Sequence, residues 1–328
     1  MPAYNAEKTI EQSLGSLIAQ ARPRKFILTV VDDASTDDTL NIVEDFKKFI
    51  PIKIISLTEN KGVANARQVG LDNCECDLVA FLDSDDKFMP YTIAMYNREM
   101  KIDTPDVLYS DFISEQQGRE VLIAGKHSIT WFHGKVYRKS FLDNFGIKMP
   151  PVRYNEDAGF STIVHEITER RAYIPEISYY WSANPESLTR SNEDFNIKSM
   201  GDFVRSIQFA LNHLKKYQNI YAKGTFYFQL NNMYNYYMEA LYNKVSWIVD
   251  IEMAQRVFFK DLWIEKEIRP QKIVEGFTAQ PPNHGAFLKE ITPVQWLSKM
   301  SGIDYTVEDF RTEKKEKSLK DLFNFKEK

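Results

Sequence analysis

The first 83 residues alternate short apolar, β-branched runs with amphipathic helical stretches, and each run ends in a polar loop crowded with Asp or Asn. Alternation of that kind belongs to a parallel sheet covered by helices, so the fold class is α/β. Residues 7–20 place Ile10, Leu14, Leu17 and Ile18 on one helical face, with Asn5 ahead of them as a cap. Phe26 to Val31 forms a strand ending in Asp32-Asp33. Ser35-x-x-Asp38 reads as a capping box opening a helix whose Leu40, Val43 and Phe46 share a face. A strand at 52–57, a helix at 62–73 and a strand at 77–83 complete the pattern. In open α/β sheets ligands bind outside the carboxyl ends of the strands, so these loops are where a site is expected.

Further strands are expected at 107–112 and around 172–181. Beyond residue 195 the texture changes to helical stretches rich in Tyr and Phe, then a Pro-rich break at Pro281-Pro282 and a mixed-charge tail. The division expected is a catalytic α/β domain over 1–195 and a mostly helical region over 196–328. The aromatic stripe at 217–247 reads first as helical core, and otherwise as a stacking or partner surface.

With 43% hydrophobic and 27% charged residues, the chain of 328 lies in the globular range, which excludes disordered and collagen-like classes. Its 42 basic and 46 acidic residues give a net charge of −4, so no general attraction to nucleic acid is expected, although Arg22, Arg24 and Lys25 form a local basic group. Two cysteines, Cys74 and Cys76, without a nearby His or second pair, point to neither a disulfide framework nor zinc. No apolar run reaches the length of a membrane span. The expectation is a cytoplasmic protein, at most peripheral at the inner membrane face.

Chemistry concentrates in carboxylates. Phe81-Leu82-Asp83-Ser84-Asp85-Asp86 sets three of them behind an apolar run. On a strand end Asp83 and Asp85 point the same way, and such hard oxygen ligands suit Mg²⁺ or Mn²⁺. A solvated Asp-rich turn is the competing reading. Two similar loops support the first: Val31-Asp32-Asp33-Ala34-Ser35-Thr36-Asp37 and Asn60-Lys61-Gly62-Val63-Ala64-Asn65-Ala66-Arg67.

With these residues assembled, the chain resembles the family-two glycosyltransferases, inverting nucleotide-sugar enzymes of the GT-A fold. Pro2-Ala3-Tyr4-Asn5 is similar to the family's opening P-x-Y-N, VDDASTDDT (31–39) to its nucleotide-binding strand end, and NKGVANARQVG (60–70) to its N-x-G-x-x-x-A-R-N-x-G, with Gln68 in place of Asn. FLDSDD (81–86) carries the D-x-D. WFHGKVYRKSFL (131–142), Asn155-Glu156-Asp157-Ala158-Gly159-Phe160 and Tyr179-Tyr180-Trp181 with Ser187 to Ser191 extend the likeness to about residue 195.

The resemblance implies a GT-A-like, mostly parallel sheet and transfer of a sugar, from a UDP-sugar donor, to a hydroxyl of a cell-surface glycan or teichoic acid. Mn²⁺ or Mg²⁺ would be held by Asp85, with Asp83 nearer the ribose. Pro2, Tyr4, Asn5, Asp32, Asp33, Lys61, Arg67, Ser84 and Arg190 would bind the nucleotide-sugar, Asp157 would be the general base and Glu156 its orienting neighbour. Plainer roles compete: helix capping for Asp32, Asp33 and Asp157, surface charge for Arg67, packing for His133. The C-terminal helices would serve acceptor choice, a partner or a homo-oligomer. Glycosylation of a modified DNA base is the alternative acceptor, and a non-catalytic module with the same fold is the alternative of another class.

One departure stands out. The family's P-x-Y-N follows a central strand of about five apolar residues, whereas Met1-Pro2 open this sequence. Loss of such a strand exposes unpaired edges. A start placed too late is the expectation, ahead of a substitute segment or an inactive relative.

Overall fold

The structure is a computed structural model that describes residues 1–20, 26–116, 118–128, 130–184 and 195–217, short pieces between 232 and 259, 293–301 and 326–327. Its elements run β1 (Pro2–Ala3), α1 (Ile10–Ile18), β2 (Leu28–Asp32), α2 (Thr39–Phe46), β3 (Ile52–Ser56), α3 (Val63–Asp72), β4 (Leu78–Val79), β5 (Lys87–Phe88), α4 (Thr92–Glu99), β6 (Val107–Gln116), β7 (Arg119–Ile123), β8 (Lys135–Arg138), α5 (Lys139–Asn144), α6 (Glu156–Ile167), β9 (Arg171–Trp181), α7 (Phe195–Leu214), α8 (Pro293–Ser301) and β10 (Lys326–Glu327). They fall into two compact units. The first joins Met1–Arg153, Thr168–Ser187 and Phe325–Lys328, and the second joins Tyr154–Ile167 and Leu188–Asn324. No helix among the described residues is long and apolar enough to cross a membrane.

The first unit is α/β with two sheets. One is parallel, in the order β1-β2-β3, and the other runs β10-β9-β6-β8-β4, with β5 paired to β9 and β7 to β6. The helix periodicity holds: Ile10, Leu14 and Leu17 are buried from α1, and they share a core with Val30 of β2, Phe88 of β5, Phe112 of β6 and Tyr179 of β9. β6 and β9 run parallel over most of their length, from Val107 opposite Arg171 to Ser114 opposite Trp181.

Three local expectations are corrected. Asn5 does not cap α1: it sits at φ 47, its N–H donates to Ser35 Oγ at 3.0 Å, and its Oδ1 accepts from Thr36 N–H at 2.8 Å. The Ser35–Asp38 box does not form either. Asp37 Oδ1 instead accepts from both Thr39 N–H and Thr39 Oγ1, so the local bond belongs to a tighter turn. Finally, the strand at 77–83 shrinks to Leu78–Val79, and Asp83 to Asp86 form a turn closed by Asp86 N–H on Asp83 O at 3.2 Å.

Between the two sheets lies an opening. β1 covers β2 only at Val31 and Asp32, and β4 has β8 as its single described neighbour. Both open edges line one cavity of about 500 Å³, walled by Leu28, Leu71, Leu78, Phe81, Tyr96 and Met100 among others. Met1 ends in it, donating through its ammonium to Thr29 O at 2.8 Å. Burial pulls that amine down from 8.0 to about 5, against the pull of Asp83 and with the help of Arg67. No described segment stands in for a strand here.

Candidate active site

Three loops at strand ends are laced together by the residues singled out from the sequence. Ala6 N–H donates to Thr39 Oγ1 at 2.8 Å and Glu7 N–H to Asp37 Oδ2 at 3.0 Å, which ties the loop after β1 to the loop after β2. Asp33 binds the loop after β3, its two oxygens accepting from Lys61 N–H at 2.9 Å and Gly62 N–H at 2.7 Å. Gly62, at φ 88, takes the left-handed turn that opens α3. Asp32 accepts from Ser35 N–H. Both carboxylates are buried, Pro2 is buried, and Tyr4 is 49% exposed. Lys61 turns to Glu59, with both side chains exposed.

The loop after β4 holds the charge. Arg67, buried on α3, donates to Asp83 Oδ1 and lies over the Phe132 ring, 5.1 Å from its centroid. Asp86 is 1% exposed. Its Oδ2 accepts from the Tyr179 hydroxyl at 2.7 Å, and its Oδ1 accepts from Ser182 N–H at 2.9 Å. That hydroxyl in turn accepts from Asp83 N–H at 3.3 Å. His133 Nε2 stands 3.8 Å from Asp86 Oδ2. Asp85 accepts from Asn184 Nδ2 at 2.9 Å, and Ser84 is half-buried in the same turn.

The electrostatics follow from burial and crowding. Burial pushes Asp83 up, but Arg67 and then His133 outweigh it and hold the carboxyl below its ordinary range. Asp86 is driven well above that range by burial and by the charges of Asp83 and Asp85, and Asp85 is raised by burial and by Asp83. Tyr179 is pushed well up by burial and by Asp86, so it stays a donor.

A divalent cation fits this donor set. One oxygen each from Asp83 and Asp86 and a His133 ring nitrogen lie within 4.8 Å of one another, and the neighbouring carboxylates oppose each other's ionisation, which a cation relieves. Mixed carboxylate and imidazole ligands suit Mn²⁺ better than Mg²⁺. The expected pair was Asp83 and Asp85. The segment is a turn and not a strand; Asp86 joins Asp83 and His133 within 4.8 Å, and Asp85 lies near enough for its charge and that of Asp83 to oppose each other. Sequence reasoning names Asp86 only within the FLDSDD run and Tyr179 only within the Tyr179-Tyr180-Trp181 likeness, without a role for either, and leaves His133 to packing. The signal for Asp86 was present in the FLDSDD run, whereas Tyr179 is brought in by the antiparallel pairing of β5 with β9.

Glu156 and Asp157 belong to the second unit, in the first turn of α6. Asp157 is half-buried and accepts from Ala158 N–H at 2.8 Å, while Glu156 is buried. Asn155, at φ 60, donates through Nδ2 to Ser199 O at 3.0 Å, and its carbonyl accepts from Ser206 Oγ at 2.6 Å, anchoring this turn to α7. Arg190 lies outside the described residues, as does most of the stripe at 217–247, of which Tyr234 and Tyr237 are buried.

The two sheets with their flanking helices are consistent with a GT-A-like fold. Residues 1–153 match the model of Glycosyl transferase family 2, so the chain carries a family-two glycosyltransferase domain. Among curated relatives it is 29% identical over 215 residues to the poly(ribitol-phosphate) beta-N-acetylglucosaminyltransferase TarS of Staphylococcus aureus, covering 60% of this chain and 38% of that protein. It is 41% identical over 88 residues to the putative teichuronic acid biosynthesis glycosyltransferase TuaG of Bacillus subtilis, covering 26% and 34%. The chain thus spans little more than a third of the length of these relatives. Residues 1–349 of S. aureus TarS, solved in complex with UDP-GlcNAc, superpose with a TM-score of 0.74 at 22% identity, over 94% of this chain and 87% of that one. A mannosyltransferase from Pyrobaculum calidifontis, in complex with GDP-Man and Mn²⁺, follows at 0.52 and 17%, over 92% and 85%.

Proposed function

We propose that this chain transfers a sugar, N-acetylglucosamine in the first instance, from a UDP-sugar to a hydroxyl of a teichoic-acid-type polymer with inversion. The observation that carries the proposal is the convergence of Asp83, Asp86 and His133 beside Arg67 of α3, the helix whose leading loop Asp33 holds. The curated name of the relative matched over 215 residues and the UDP-GlcNAc of its solved domain support the choice of donor and acceptor.

Asp83, Asp86 and His133, with Asp85 adjacent, would hold a divalent cation, which when bound neutralises the charge of a leaving diphosphate. Arg67 adds a fixed positive charge at the same place, and the Asp32–Asp33 loop receives the base. Asp157 takes the proton of the acceptor hydroxyl as its oxygen bonds the anomeric carbon. The bond from that carbon to the diphosphate oxygen breaks on the opposite face, and UDP leaves. Glu156, the buried residue before Asp157, would orient the base.

Asp157→Asn tests the division of labour. Transfer from UDP-GlcNAc to a poly(ribitol-phosphate) acceptor is expected to fall by about 10²–10⁴-fold, the usual contribution of a positioned base. UDP affinity, measured by calorimetry with Mn²⁺, is expected to stay unchanged. Near-wild-type transfer by this variant removes Asp157 from the mechanism.

A further inference from the structure

The loop that carries His133 also carries Trp131, a residue with no role in the site as described so far. Its side chain is 38% exposed, yet its backbone is firmly held. Buried Lys135 donates through Nζ to the Trp131 carbonyl. The Gly134 carbonyl accepts from Ser110 N–H at 2.8 Å and from Ser110 Oγ at 2.9 Å. Gly134 itself sits at φ +66, so close to β6 that a Cβ would stand 2.4 Å from the Ser110 carbonyl oxygen. A large indole displayed from a loop pinned this tightly is preorganised for contact.

The ring is the outer end of an aromatic wall that begins at the carboxylates. Tyr179, whose hydroxyl bonds Asp86, stacks on His133 with centroids 4.7 Å apart. His133 lies 4.9 Å from Trp181, and Trp181 lies 5.5 Å from Trp131. Phe112 supports Trp131 edge-on at 6.0 Å. His133 of the cation-holding group is therefore flanked by Tyr179 and Trp181, and through Trp181 the aromatic series reaches the partly exposed ring of Trp131. A pyranose has the complementary form: a C–H face that packs on an aromatic ring and a hydroxyl edge that meets polar groups.

We propose that Trp131, backed by Trp181, is the platform on which the pyranose ring of the donor rests, so that it takes part in selecting the sugar; this rests on the donor reading above. The experiment compares UDP with UDP-GlcNAc, each with Mn²⁺, by calorimetry on the full chain. In the wild type UDP-GlcNAc is expected to bind more tightly than UDP. Trp131→Ala is expected to bind UDP unchanged and to lose about 3- to 10-fold of the sugar's added affinity, the worth of one aromatic contact. Trp131→Phe, which keeps a ring, is expected to retain most of it, and it gives the same comparison if the Ala variant does not fold. An unchanged sugar increment in both variants, or a parallel loss of UDP affinity that marks a merely structural role, overturns the platform. Failure of the wild type to bind UDP at all is a different result, which removes the donor reading and the platform with it.

Discussion

Replacing Asp83 by Asn is expected to lower sugar transfer by about 10²–10³-fold, the usual cost of removing a fixed group that stabilises developing charge. Asn preserves the shape and can still accept from Arg67, so the loss isolates the negative charge. Two effects coincide here. Asp83 is one of the three groups that converge to hold a cation, and it is also the counter-charge of a guanidinium buried on α3. Leaving a buried charge without its partner costs about 3–5 kcal/mol, so Asp83→Ala is expected to lower the melting temperature further than Asp83→Asn. The wild type is expected to gain thermal stability on adding Mn²⁺, and the Asn variant to gain much less. Activity and a Mn²⁺ shift both at wild-type level in Asp83→Asn would place the cation elsewhere.

The second large effect concerns the opening between the sheets. Fusing a five-residue β-branched apolar segment ahead of Met1 is expected to stabilise the domain by several kcal/mol. Each inward side chain contributes ~1.5–3 kcal/mol and each new ladder bond ~1 kcal/mol, against ~1–2 kcal/mol of backbone entropy per residue. At ~2–4 °C per kcal/mol the midpoint should rise by roughly 10 °C. The same change should alter the pH dependence. In the present chain burial pulls the Met1 amine in the folded state from its ordinary 8.0 down to about 5. Between those values the unfolded chain holds one proton more, so stability rises with pH across about 5 to 8 and is lost as pH falls. The extended protein has no amine at that place, and its stability should be flatter over the same window. A scrambled extension carrying Pro and Asp serves as the control, and equal midpoints for the two extensions would show that the opening does not accept a strand.

The parts of this molecule that were legible in its sequence are those fixed by neighbours a few residues apart. The periods that gave α1, β2, β3 and α3 are local, so Ile10, Leu14, Leu17 and Val30 are found where alternation put them. What failed was also local but depended on competing bonds. Asp37 outcompetes Ser35 for the start of α2, and the turn at Asp83 overrides the strand pattern of FLDSDD. The composition of the site was out of reach for a different reason. Tyr179 meets Asp86 across 93 residues because β5 pairs with β9, and His133 comes in from a loop fixed by Ser110 on β6. Periodicity carries no information on such pairings, and only the motif likeness placed Asp83, Arg67 and Asp33 in one site beforehand.

Transfer of a sugar from a UDP-sugar is the reaction proposed for this chain. Its most direct test is UDP release from UDP-GlcNAc by the purified protein with Mn²⁺, with and without poly(ribitol-phosphate). Release that requires both the polymer and the cation, and is lost on chelation, is the predicted result. UDP-GlcNAc that neither binds nor turns over with Mn²⁺ present would contradict it.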